Sequence, residues 1–247
     1  MKRQSRRAAG RLGWRRLTVL MFAGFMLVGL VGYSTFNRTT PQAPTGYPEA
    51  AREQVQRELE ALLVKSAGVD GLQYRLVTNY PLWSYETRVW LQGDWVKTET
   101  VVDGQSLVLL VDTARGELLS YDAAENTATR MRLGEGEAGA PETPLDYVRD
   151  LNPAEWVPGE VTFLDGLRCR KFTREEVRGA TVLYLWEEYG LPLRVESVAD
   201  GCATVVEFKD LEVGAVPDDV FALPTGVEVT DFWEEEAPSD YGDGANR

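Results

Sequence analysis

The sequence predicts a mainly β chain, a meander of long antiparallel strands preceded by one transmembrane helix. Three observations predict it. From residue 70 to about 212 the apolar residues recur with period 2, the period of a strand whose alternate side chains face a core. The strand-like runs are parted by Asp103-Gly104, Asp165-Gly166, Arg178-Gly179, Tyr189-Gly190 and Asp200-Gly201, each placing glycine where a tight turn requires positive φ. Ahead of them, residues 17–36 (LTVLMFAGFMLVGLVGYSTF) carry no charge.

Residues 1–16 form a basic stub with Lys2, Arg3, Arg6, Arg7, Arg11, Arg15 and Arg16 and no acid. The apolar stretch behind it holds about 20 residues, and at ~1.5 Å per residue these cross a ~30 Å hydrocarbon core. Basic residues on its N-terminal side place the N-terminus in the cytoplasm and the body outside. Cleavage as a signal peptide, which would leave a secreted protein, is the alternative, although no A-x-A site is present. Residues 37–47, rich in Pro, Thr and Gly, read as a tether. Pro48 then opens a helix over 49–66, with Val55, Leu59, Leu62 and Leu63 on one face, Lys65 in its last turn and Gly68 beyond its end.

Strands are expected at 71–80, 86–92, 95–102, 106–112, 117–122 and 127–133. The Gly- and Glu-rich stretch 134–144 interrupts the series. A short helix over 145–152 and a loop, PAEWVPG, follow it. Strands resume at 160–165, 167–175, 180–188, 191–199 and 202–212, so the domain spans 48–231 and leaves an acidic tail at 232–247. Runs of strands without intervening helices argue against a doubly wound βαβ nucleotide-binding fold, and no glycine-rich loop precedes a helix.

The chain holds 26 basic and 39 acidic residues and no histidine. Setting aside the 7 basic residues of the stub leaves 19 against 39, a balance of −20 for the rest. Such a body repels phosphate backbones, which argues against a nucleic-acid partner. Without histidine the commonest general base and metal ligand are both missing, so no catalytic residue, cofactor or metal is assigned and an enzyme is not expected. Cys169 and Cys202 fall two strands apart, which favours two free thiols over a disulfide.

The run YLWEEYGLPLRVES, a DG turn and TVVEFKDLEVGAVPDDVFALPTGVEV resemble the lipoprotein-carrier (LolA-like) family. The resemblance is carried by Trp186, Gly190-Leu191-Pro192, Phe208, Pro217 to Phe221, Leu223-Pro224 and Gly226, with looser agreement in GLQYRLVT, TRVWLQGDWVKTE and YDAAENTATRM. It covers about residues 48–231. It implies a curved antiparallel sheet forming an incomplete (half) β-barrel, helices closing the open face, and a concave side that accommodates acyl chains. The apparent anchor departs from a carrier that shuttles between membranes. The implied function is a membrane-anchored extracytoplasmic protein that binds a lipid or the acyl part of a lipoprotein. The alternative is a cell-envelope sensory or regulatory module of the same fold, acting through a protein partner.

Glu187 and Glu188, adjacent along a strand, would point to opposite faces and cannot serve one pocket, so they read as the shoulder of a hairpin. Glu234 to Glu236, Asp240 and Asp243 lack the spacing of a calcium loop and read as a solvated tail. Tyr80, Trp83 and Tyr85 sit in a bend, either folded onto the core or forming the rim of a cavity or a membrane-facing tip. LVLLVD (107–112) and VLYLW (182–186) are apolar at consecutive positions, so both faces of those strands must be covered. The candidate ligand-binding residues are Leu72, Tyr74, Leu76, Val89 and Leu91, which either line a cavity or plug it.

Overall fold

The computed structural model describes residues 49–102, 104–133 and 143–232. The stub, the anchor read at 17–36, the tether and the tail beyond Phe232 lie outside the described residues. Among the described residues no helix is long and apolar enough to cross a membrane.

Helix α1 (Glu49–Ser66) occupies the span its sequence predicts. Leu59 and Leu62 are buried and Leu63 is partly buried against the same core, while Val64, one position off the stripe, is exposed. Among the described residues twelve strands follow: β1 (Gly71–Asn79), β2 (Ser84–Gln92), β3 (Trp95–Val102), β4 (Gln105–Asp112), β5 (Glu117–Asp122), β6 (Thr127–Arg132), β7 (Val157–Leu164), β8 (Leu167–Glu176), β9 (Gly179–Trp186), β10 (Pro192–Ala199), β11 (Cys202–Val213) and β12 (Glu228–Phe232). Between β6 and β7 lies α2 (Pro144–Arg149). Thr143 caps it in a capping box with Asp146, and proline stands in its first turn where no amide donor is missed.

All twelve strands join one curved, open sheet in the order β12-β6-β5-β4-β3-β2-β1-β11-β10-β9-β8-β7. Neighbours along the meander are antiparallel, and β1 pairs with β11 to join its two halves. Three details differ from expectation. The expected loop PAEWVPG already contributes Val157 to β7, which takes a bulge between Pro158 and Val161. Strand β9 ends at Trp186, so Glu187 and Glu188 lie in the turn and not on the strand. Strand β12 was not expected: it pairs in parallel with β6, a partner about a hundred residues earlier that no local pattern announces.

The turn after β9 explains its glycine. Gly190 adopts φ +68°, its amide donates to the Trp186 carbonyl at 2.7 Å, and the Trp186 amide donates to Leu191 at 2.8 Å. A Cβ on Gly190 would sit 1.9 Å from the Leu62 carbonyl oxygen, so glycine lets the end of α1 press onto this turn. Lys65 donates to the Glu187 carbonyl and fastens the same contact. Leu191, Pro192 and Leu193 then enter the core.

The two faces of the sheet differ. The inner face carries one continuous apolar core from Leu72, Leu76, Val89 and Val96 through Phe208 and Val195 to Leu183 and Phe172, with Leu59, Leu62 and Val148 of the helices. A bulge at Asp210 (φ +51°), a residue type that tolerates that conformation, skips one register step so that Phe208 and Leu211 both face inward. On the outer face, β1, β2, β10 and β11 carry an ion-pair ladder: Arg75 with Asp210 (2.6 Å) and Glu86 (2.9 Å), Arg194 with Glu196 (2.7 Å), and Lys209 with Glu207 (3.1 Å). The outer face of β4 to β6 carries an apolar patch among its charges. Val108, Tyr121 and Ala128 form a second cluster against Leu223 and Val227, and Lys97 donates to the Val220 carbonyl at 3.0 Å. The chain's own C-terminal segment therefore covers one side of LVLLVD, and the main core covers the other.

Candidate functional site

The five residues singled out from the sequence come together on the inner face. Cross-strand pairing sets Leu72 against Leu91 and Tyr74 against Val89, with Leu76 one step further along β1. All five are buried and belong to the core cluster that includes Leu59 and Leu62. Phe208 stands between two aromatic rings, Tyr74 at 5.5 Å and Tyr147 at 5.7 Å, each edge-to-face. In this arrangement α2 packs on β10 and α1 on β7, whereas β2 to β6 extend the apolar wall on the far side of β1.

That wall is not purely apolar. One row across the sheet runs Tyr74, Val89, Thr98, Leu109, Ser120, Thr129, residue facing residue on successive strands. The adjoining row sets Leu76 against Thr87 and Thr87 against Thr100, and Thr78 lies beyond. Thr78, Thr87, Thr98, Thr100 and Ser120 are all buried. The Thr87 and Thr100 hydroxyls meet at 2.6 Å. The Tyr74 hydroxyl is buried with no hydrogen-bond partner, and burial first, then the charge of Asp146, raises its pKa far above the ordinary phenol value. Sequence reasoning recognised Tyr74 but missed the hydroxyls. Their signal was present in the alternation of TETVV, which puts Thr98 and Thr100 on the face shared with Val96.

Strand β8 brings two arginines to the inner face. Arg170 reaches Glu58 of α1 at 3.0 Å. Arg174, 15% exposed, lies over the Trp156 ring at 5.2 Å and pairs with Glu176 at 2.8 Å and Glu155 at 3.6 Å. These pairs bind α1 and the turn before β7 to the sheet.

The bend Tyr80–Tyr85 runs from the core at Tyr85 to an exposed apex. Its rings stack in sequence, Tyr80 on Trp83 at 4.2 Å and Trp83 on Tyr85 at 5.6 Å. Tyr85 packs against the core, Trp83 is 53% exposed and Leu82 at the apex 95% exposed. Glu187 pairs with Arg168 at 3.1 Å and Glu188 is exposed, so the two acids serve no common pocket. Cys169 is buried and Cys202 exposed, both free, and burial pushes the Cys169 thiol up to about 11. Among the described residues no group of His, Cys, Asp and Glu is disposed to hold a metal. The acidic tail residues from Glu234 onward lie outside them.

No known protein family and no curated protein match this chain. Solved structures do. LprF from Mycobacterium bovis is similar at TM-score 0.48 and 15% identity, over 72% of this chain and 98% of that one. The Mycobacterium tuberculosis lipoprotein LppX is similar at 0.47 and 8%, over 67% and 99%. MucB of Pseudomonas aeruginosa, solved in complex with MucA, is similar at 0.45 and 17%, over 69% of this chain and 61% of that one. This chain thus spans about three fifths of the MucB chain.

Proposed function

We propose that the inner face of this sheet binds the acyl part of a lipid or of an acylated lipoprotein, with the domain held outside the cytoplasm by the anchor read at 17–36. The observation that carries the proposal is the apolar wall of β1 to β6, where Leu72, Tyr74, Leu76, Val89 and Leu91 continue into Val96, Leu109, Val111 and Leu118. A methylene chain laid on such a wall gains ~0.8 kcal/mol for each CH₂ removed from water, so one long chain supplies micromolar affinity before ordering costs.

A regulatory module that binds an envelope protein is favoured by a different feature, the exposed Leu82–Trp83 tip. One experiment separates the two. The purified, delipidated protein is titrated with a fluorescent fatty acyl probe, alongside Leu76→Trp, with thermal melting recorded for both. Saturable binding by the parent, lost in a folded Leu76→Trp, is expected. Absence of binding by the parent refutes the lipid proposal and leaves the protein-binding module.

A further inference from the structure

Hairpin tips are ordinarily polar, because the backbone groups freed by a turn are solvated and an apolar apex gains nothing in water. One end of this sheet departs from that rule. Four hairpins adjoin there in the sheet order: β3–β4, β1–β2, β10–β11 and β8–β9. Each carries an exposed apolar side chain at or beside its tip, respectively Val101, Leu82, Val198 and Val177, and Trp83 stands next to Leu82. At about 4.8 Å between strands, the row runs roughly 30 Å along the sheet. Singly such residues mean little, but a row of neighbours marks a contact surface. The β1–β2 tip is also held in shape. The Tyr80 amide donates to the Trp83 carbonyl at 2.9 Å, and the stacked rings of Tyr80, Trp83 and Tyr85 run back to the core. Leu82 and Trp83 are thereby fixed in water, so a bound state loses little further freedom.

Charge narrows the partner. The turns 80–83, 103–104, 177–178 and 200–201 contain no lysine, and their one arginine, Arg178, pairs with Asp200 at 3.2 Å. Such tips offer nothing to an anionic headgroup and suit a zwitterionic interface, where tryptophan and tyrosine settle best. Val64 and Phe163 are exposed toward the opposite end, but the turns there carry Asp94, Arg115, Asp165 and Glu188. The course of α1 adds the second observation. Leu62 and Lys65, in its last turns, meet the turn after β9 at that opposite end. Glu58 pairs with Arg170, further along β8, and α1 also packs on the turn Pro153–Glu155, which leads into β7 at the apolar end. Followed back to Glu49, the helix therefore runs toward the apolar tips. Residues 37–48 alone separate Glu49 from the anchor read at 17–36, and such a tether spans about 20 Å on average and ~40 Å at most.

We propose that this end of the sheet docks on the zwitterionic surface of the bilayer that holds the chain, with Leu82 and Trp83 seated among the headgroups and Val101, Val177 and Val198 beside them. The strands then stand end-on to the membrane. The proposal rests on the anchor at 17–36 and is independent of acyl binding.

For the test, the full chain is reconstituted into phosphatidylcholine vesicles, and flotation shows whether it is membrane-bound. Cys202, exposed at the β10–β11 tip, carries an NBD fluorophore, and phosphatidylcholine with a headgroup nitroxide is the quencher. The reference label sits at the opposite end, on Glu188→Cys in a Cys202→Ser background, roughly 25 Å away along β9. The expected result is strong quenching at 202, little at 188, and no gain at 202 when anionic phosphatidylglycerol is added. Leu82→Ser with Val177→Ser alters two almost wholly exposed side chains, so the melting temperature holds while the docked-to-undocked ratio falls on the order of tenfold or more. Equal quenching at both ends, or quenching that survives in the folded double variant, overturns the docking and leaves the anchor standing. Quenching at neither end does the same and returns the exposed row to a protein partner. A chain that does not float with the vesicles overturns the anchor and the docking together.

Discussion

Replacing Gly190 with alanine tests whether α1 is seated on the turn after β9. Two costs are separable. The first is conformational: at φ +68° an L-residue loses about 1–2 kcal/mol to its own backbone. The second is steric. The new Cβ would lie 1.9 Å from the Leu62 carbonyl oxygen and 2.7 Å from its carbon, both backbone atoms of a helix that cannot swing aside as a flexible side chain would. Reaching ordinary contact distance requires the last turns of α1 to retreat by more than 1 Å (roughly), which forfeits a large part of the packing of Leu59 and Leu62. Together these give about 3–5 kcal/mol. In a domain of this size, 1 kcal/mol lowers Tm by about 2–4 °C, so Gly190→Ala should melt roughly 6–20 °C below the parent. Gly93→Ala is the control. Its φ is +54° and nothing lies within 4 Å of its Cβ, so it carries the conformational cost alone. Thermal unfolding followed by circular dichroism measures both. If the two variants melt together, the close approach of α1 to this turn is wrong.

Two further outcomes follow from the same geometry. Leu59→Asp, which sets an unpaired carboxylate at a wholly buried position beneath α1, should cost about 4 kcal/mol or more in chemical denaturation; parent-like stability would show that α1 is not core. Burial holds the Cys169 thiol protonated until about pH 11, so at pH 8 a thiol reagent should label the exposed Cys202 rapidly and Cys169 only on unfolding; two fast thiols per native chain would contradict the buried position.

The parts of the fold legible in the sequence are those fixed by local periodicity. The stripe of Leu59 and Leu62 announced α1, because residues three and four apart share one face of a helix. Alternation announced the strands of the meander, because successive strand residues point to opposite faces. The same alternation put Leu72, Tyr74 and Leu76 on one face of β1 and Val89 and Leu91 on one face of β2; the pairing of the two strands made these the same face of the sheet. Consecutive apolar residues in LVLLVD required cover on both sides, and this too was readable, although the identity of the cover was not.

Tertiary structure decided what depends on partners distant in the chain. It paired β1 with β11 and laid β12 parallel to β6; hydrogen-bonding edges are chemically alike, so only global packing chooses among them. It brought Leu223 and Val227 over Val108 and Tyr121, contacts between segments about a hundred residues apart. It aligned Tyr74, Thr98 and Ser120 in one row, a coincidence of register across five strands that no single strand encodes. The sequence by itself determined which side chains face inward, since that is a property of each strand's pleat. Which inward residues meet is set by register, and register is fixed only when the whole sheet closes on its core.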